Sequence, residues 1–252
     1  IGGLGYVPGF LKRHPQTAGV PDPSKPLLTD YVPPICFSKP ESVQLLGEIM
    51  EGVASIPATT ELNVWLSEEG PFCFCDKCQG KEENIYVTET RAIISGFRQA
   101  QKLNPNLNLR ILLSQGSYKV NHLVLKEIPP DVKCTYYHGG LTYDSSHRPM
   151  IYPLLEDFVK EGGWLGVHPQ LDNAWRTVFP FTGPQFVRAR MKEFVEKGLR
   201  NFTGYATPSN RFWEFNIAAA AEWSWNLNGR TEYEFARAWA RRIRIGEVEK
   251  YA

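Results

Sequence analysis

The chain lacks any run of about 18 apolar residues, so no segment reads as a membrane-spanning helix. It lacks a G-x-G-x-x-G after any strand-like stretch and a G-x-x-x-x-G-K-[ST] anywhere. Both absences argue against nucleotide-binding architecture, and no organic cofactor is expected. Charge of one sign is also scarce: 28 Lys and Arg against 27 Asp and Glu leave a net charge of +1. A nucleic acid or an anionic membrane calls for a concentrated basic surface, which this balance does not suggest. The opening "IGGLGYVPGF" has no initiator Met, no basic n-region and no apolar h-region. It therefore reads as a processed start or as an excerpt, with further βα units or another domain expected upstream.

Cysteines are few and unevenly placed. The five are Cys36, Cys73, Cys75, Cys78 and Cys134. An odd number with three inside six residues makes a poor disulfide framework, and a C-x-C pair rarely meets the geometry of a bridge. Thiolate metal ligation suits the C-x-C-x-x-C spacing better.

What is present is an ordinary globular composition, 42% hydrophobic and 22% charged over 252 residues, enough to bury a sizeable core. Aromatics are plentiful, with 7 Trp and 11 Tyr. Flat rings pack on the apolar faces of pyranoses, so the excess fits a sugar-binding cleft as well as it fits a large aromatic core.

Residues 1–34 hold many Pro and Gly and read as an irregular N-terminal segment. Residues 35–252 then alternate. Strands are expected at 33–38, 61–67, 107–115, 131–140, 163–168 and 199–207. Helices are expected at 40–55, 86–104, 149–162, 182–198, 210–226 and 231–245. In the last two, Trp223, Trp225 and Trp239 recur at helical spacing and read as core. Six strands, nearly all separated by helices, predict an α/β protein with parallel strands. The expected architecture is a (β/α)8 TIM barrel, partial in this chain, with about six βα units and the first strands missing or rearranged.

In such a barrel the working groups stand at the C-terminal ends of the strands. Those ends carry Cys36-Phe37-Ser38, Glu68-Glu69, Ser114-Gln115, Tyr136-Tyr137-His138, His168 leading to Asp172, and Tyr205 leading to Asn210. Parity within "ELNVWLSEE" sets Leu62, Val64 and Leu66 on one face and Asn63, Trp65 and Ser67 on the other. The aliphatic face should pack on helices, which turns Glu69, or Glu68 if the strand bends, into the barrel mouth.

Three stretches carry a family resemblance: "PPICFSKPESVQLLGEIMEGV", "VWLSEEGPFCFCDKC" and "AAAAEWSWNLNGRTEYEFARAWARR". Across residues 31–245 the chain resembles the glycoside hydrolase clan of hexosaminidase and α-glucuronidase barrels (families 20, 84 and 67). It resembles most the bacterial domain of unknown function 4838 relatives of that clan. The resemblance implies a TIM-barrel glycoside hydrolase acting on a carbohydrate, and an extracytoplasmic location. In the hexosaminidases two adjacent acids after strand four polarise the substrate acetamido group and protonate the leaving oxygen. Here the pair is Glu-Glu rather than Asp-Glu or Asp-Asp, which counts against an N-acetyl sugar.

Glycoside hydrolysis needs a proton donor and a group that stabilises or captures an oxocarbenium-like centre. Glu68 or Glu69 is the candidate acid, kept protonated by its like-charged neighbour and an apolar wall of Trp65 and Phe72. The second carboxylate is the other glutamate, Asp172 or Asp144, with Asp172 preferred. Tyr137, His138, Asp144, His168, Tyr205 and Trp213 are the candidate substrate-binding residues. Cys73, Cys75 and Cys78, with Cys36 as fourth ligand, are the candidates for a structural zinc, and Cys134 for a buried free thiol. Reduced cysteines packed in a loop are the plain alternative to the zinc. A non-catalytic carbohydrate-binding barrel with a zinc knuckle is the alternative to the enzyme.

Overall fold

The computed structural model describes residues 9–24, 34–68, 72–137, 149–169, 171, 183–204 and 214–251. The chain divides into two compact units, residues 1–135 and 136–252.

The first unit holds a one-turn helix α1 (Phe10–Arg13), a 3-10 turn (Pro15–Thr17), α2 (Pro40–Ala54), β1 (Glu61–Trp65), α3 (Glu82–Ala100), β2 (Asn108–Leu113), α4 (Asn121–Glu127) and all but the last residue of β3 (Lys133–Tyr136). Strands β1 and β2 pair in parallel from Glu61↔Asn108 to Trp65↔Leu112. A parallel pair needs a crossover, and α3 supplies it. On α3 the buried residues Tyr86, Thr90, Ile93, Phe97 and Ala100 recur at spacings of three and four, one face of a helix. Burial of each large apolar side chain there stabilises the fold by roughly 1.5–3 kcal/mol.

The parity read from the sequence holds in β1: Leu62, Val64 and Leu66 are buried, and Asn63 is exposed. Leu109, Ile111 and Leu113 of β2 extend this buried face. The opposite face carries Trp65 and buried Leu112 at one end and charged groups at the other. There the Glu61 carboxylate takes Arg110 of β2 and Lys133 of β3, each at 2.7 Å, tying three strands together.

The second unit holds α5 (Pro153–Lys160), β4 (Leu165–Val167), α6 (Pro184–Glu196), β5 (Asn201–Phe202), α7 (Glu214–Trp225), α8 (Glu232–Arg242) and α9 (Val248–Tyr251). Strands β4 and β5 are parallel, with Gly166↔Asn201 and Val167↔Phe202. The His168 N–H donates to the Tyr136 carbonyl at 2.8 Å, so the last residue of β3 lies beside the end of β4. Within the first unit the strand order is β1-β2-β3 and within the second β4-β5, each strand next to its successor in sequence. This is an α/β fold laid down one βα unit at a time.

Two expectations are corrected. Five strands are found among the described residues, not six: the stretch at 33–38 makes only an isolated antiparallel bridge, Ala18↔Ile35. Pro34 has no N–H to carry the ladder further on its side of the bridge. Trp225 is not core. Trp223 is fully buried and donates its Nε1–H to the Arg230 carbonyl at 2.9 Å, whereas Trp225 at the helix end is 92% exposed. Helix α8 begins with a complete capping box. Thr231 accepts from the Glu234 N–H and the Glu234 carboxylate accepts from the Thr231 N–H.

Candidate metal centre and acidic strand end

Both features lie in the first unit. The thiol cluster is assembled from three segments. Cys36 sits in the turn before α2, and Cys73, Cys75 and Cys78 lie in the loop between β1 and α3. Their sulfurs all lie within 4.8 Å of one another; Cys36 Sγ is 3.8 Å from Cys75 Sγ and 3.8 Å from Cys78 Sγ. The four cysteines sit close enough to share one metal ion, with Cys36 in the role of fourth ligand. Cys134 is buried in β3 outside the cluster, and burial pushes its thiol up to about 12.

The third segment is the stretch after the 3-10 turn. The Cys36 N–H donates to Thr17 O at 3.0 Å, the Gly19 N–H to Pro34 O at 2.6 Å and the Phe74 N–H to Val20 O at 2.9 Å. The Val20 N–H itself donates to Cys73 Sγ at 3.3 Å. Gly19 is required by closeness: a Cβ there would come 2.9 Å from Cys73 Sγ and 3.0 Å from Pro34 O. Sequence reasoning missed this strap, and it named Ser38 at a strand end without its contact to the thiols: the hydroxyl lies 2.9 Å from Cys36 Sγ and 3.5 Å from Cys75 Sγ. The phrase "C-x-S" was the available signal for Ser38.

The thiols do not titrate alike. A hydrogen bond from Cys73 draws Cys36 down to about 4 against the effect of burial. Burial works against Cys75 too, yet bonds from Ser38 and from the backbone of Cys78 and Lys77 leave it lowered. Cys73 is raised by its bond to Cys36, and burial with the charge on Cys36 pushes Cys78 up to about 12. Thiolate and thiol thus share protons within the cluster, and a bound cation would take the place of those protons.

The acidic strand end adjoins this loop. Past Trp65 the Leu66 N–H still donates to Leu112 O at 3.1 Å, so pairing with β2 continues. Ser67 is then gripped from two sides. Its N–H points to both carboxylate oxygens of Glu89 at 3.2 Å, its hydroxyl donates to Glu89 Oε1 at 2.8 Å, and its carbonyl accepts the Ser114 hydroxyl at 2.8 Å. The next carbonyl, that of Glu68, accepts the Tyr86 hydroxyl at 3.5 Å. Phe72 meets the Tyr86 ring edge-on at 6.0 Å. Glu89 on α3 has no exposed surface; burial raises its carboxyl and the bonds from Ser67 oppose the rise. Sequence reading missed Glu89, whose only sign was an acidic residue on the apolar face of a helix.

Of the residues named from sequence for catalysis, Glu68 is half-buried directly after Ser67. Glu69 and Asp172 lie outside the described residues, as do His138, Asp144, Tyr205 and Trp213. In the second unit Tyr137 and His168 stand together, their rings edge to face at 6.0 Å and 87°. Tyr137 is buried and His168 half-buried, and desolvation holds the imidazole down at about 4. No described helix is long and apolar enough to cross a membrane.

No family model and no curated protein matches the chain. Among solved structures it is similar to a GH138 enzyme targeting pectin rhamnogalacturonan II, with a TM-score of 0.58 and 11% identity over 92% of this chain. The match takes in 34% of that enzyme, so the chain spans about a third of its length. At this identity the likeness is one of fold, and the fold is one that a glycoside hydrolase uses.

Proposed function

We propose that this chain is a glycoside hydrolase domain, cleaving a glycosidic bond with carboxylates at the C-terminal rim of a (β/α) barrel. One observation carries the reading: an acid, Glu68, stands three residues past the C-terminal end of a parallel strand, in a fold similar to that of an enzyme directed at a pectic polysaccharide. Glu68 or Glu69 protonates the leaving oxygen, and the other glutamate or Asp172 stabilises or captures the oxocarbenium-like centre. Tyr137, His138, Asp144, His168, Tyr205 and Trp213 supply stacking and hydrogen bonds to the sugar.

Cys36, Cys73, Cys75 and Cys78 hold a structural zinc in this reading. Zinc–sulfur bonds of about 2.3 Å in a tetrahedron give sulfur–sulfur edges of about 3.8 Å. The Cys36–Cys75 and Cys36–Cys78 separations are both 3.8 Å, which supports the fit. With four thiolates the ion has no open position for substrate, so its contribution is to cross-link the Cys36 turn to the loop after the acids.

The test is release of reducing sugar from a panel of aryl glycosides and pectic oligosaccharides, comparing wild type with Glu68→Gln and Glu69→Gln. Hydrolysis by wild type and its loss in these variants is the expected result; equal rates in all three would remove the catalytic proposal.

A further inference from the structure

A fully buried carboxylate is costly unless its lone pairs are satisfied, and a fold keeps one where it holds something in place. Glu89 is such a group, and among the described residues all three of its hydrogen bonds go to one partner, Ser67. Ser67 is the last residue before the two glutamates. Its peptide is held on the other side by Ser114, whose own strand end is fixed by Ser117: the Ser117 hydroxyl lies 3.1 Å from Ser114 O and 2.7 Å from Asn121 Oδ1. Ser114, Ser117 and Asn121 are all fully buried. Gly116 closes the cage, since a Cβ there would lie 1.6 Å from the Glu68 carbonyl oxygen.

We propose that Glu89 is a positioning residue. Through Ser67 it fixes the direction in which the chain leaves β1 at Glu68, and so where that acid stands relative to a bound saccharide. The inference rests on the hydrolytic reading of that strand end. Three acceptor contacts on one residue leave its peptide little rotational freedom, and a misplacement of about 1 Å in a catalytic group can lower turnover by about 100-fold.

The experiment compares Glu89→Met, which keeps shape but removes the acceptors, with Glu89→Gln, which keeps one acceptor oxygen. Two readouts are taken on the full chain: kinetics on the best glycoside substrate, and hydrogen exchange at the Ser67 amide. The expected result is a fall in kcat of about 30-fold or more in Glu89→Met at nearly unchanged KM, with Glu89→Gln within about 3-fold of wild type. Ser67 exchange should accelerate at least tenfold in Glu89→Met and stay protected in Glu89→Gln. If Glu89→Met does not fold, Ser67→Ala, which removes the hydroxyl donor, should give a smaller loss of kcat in the same direction. Unchanged Ser67 protection in Glu89→Met overturns the positioning role. The expected protection differences with no hydrolysis by wild type would overturn the hydrolytic reading instead and leave Glu89 as the anchor of the strand end.

Discussion

Cys36 and Cys78 lie 42 positions apart in the chain, yet their sulfurs are 3.8 Å apart in the interior of the first unit. Strand β1 and the acidic residues that follow it fall inside the loop so closed. A metal ion held by these thiols would fasten the segment that carries the candidate acids at both its ends.

Zinc analysis tests this fastening. The purified protein should carry about one zinc per chain, and Cys75→Ser should lose most of it. Closing a loop of this length restricts the unfolded chain by about 4 kcal/mol on a cross-link model, so chelation should lower Tm by about 5–15 °C. Metal-free protein with an unchanged Tm after chelation would contradict the assignment.

Gly116→Ala should damage the strand end from the other side. The added methyl would meet the Glu68 carbonyl oxygen at 1.6 Å and the Tyr86 hydroxyl at 2.3 Å, so backbone must move. A loss of about 2–4 kcal/mol in urea unfolding is expected. A variant as stable as wild type would mean that the loop after β2 does not press on Glu68.

His168 sets a pH dependence. Its folded-state pKa, near 4, lies below the ordinary value of 6.5 because the ring is desolvated. Protons are then bound more readily by the unfolded chain, so stability is full above about pH 6.5 and falls as pH drops toward 4. The slope is at most about 1.4 kcal/mol per pH unit. The difference in stability between wild type and His168→Gln should vary with pH across this window and level off above it. A difference independent of pH would show that the imidazole is not held neutral by the fold.

Much of this was legible from sequence because it depends on local periodicity. The alternation in "ELNVWL", the helical spacing of Tyr86, Thr90, Ile93 and Phe97, and the C-x-C-x-x-C spacing each report a nearby constraint. Cys36 was found as the fourth thiol because it ends a segment read as a neighbouring strand, although that segment turned out to make one bridge only. Glu89 and the strap at 17–20 were not legible. Their contacts join residues 15 to 54 positions apart, and nothing in the local pattern distinguishes a buried glutamate from a solvated one. Trp225 was misread because it stands two residues from buried Trp223, nearly opposite it on the helix, so the two cannot share one buried face.

Leaving-group dependence tests the central claim most directly. Rates of wild type, Glu68→Gln and Glu69→Gln are measured on a series of aryl glycosides running from an activated dinitrophenyl to a poor leaving group. If one of these glutamates is the proton donor, its amide variant keeps most of its rate on the dinitrophenyl substrate and loses about 100-fold or more on the poorest. Parallel dependence on leaving group in all three proteins would contradict acid catalysis at the end of β1.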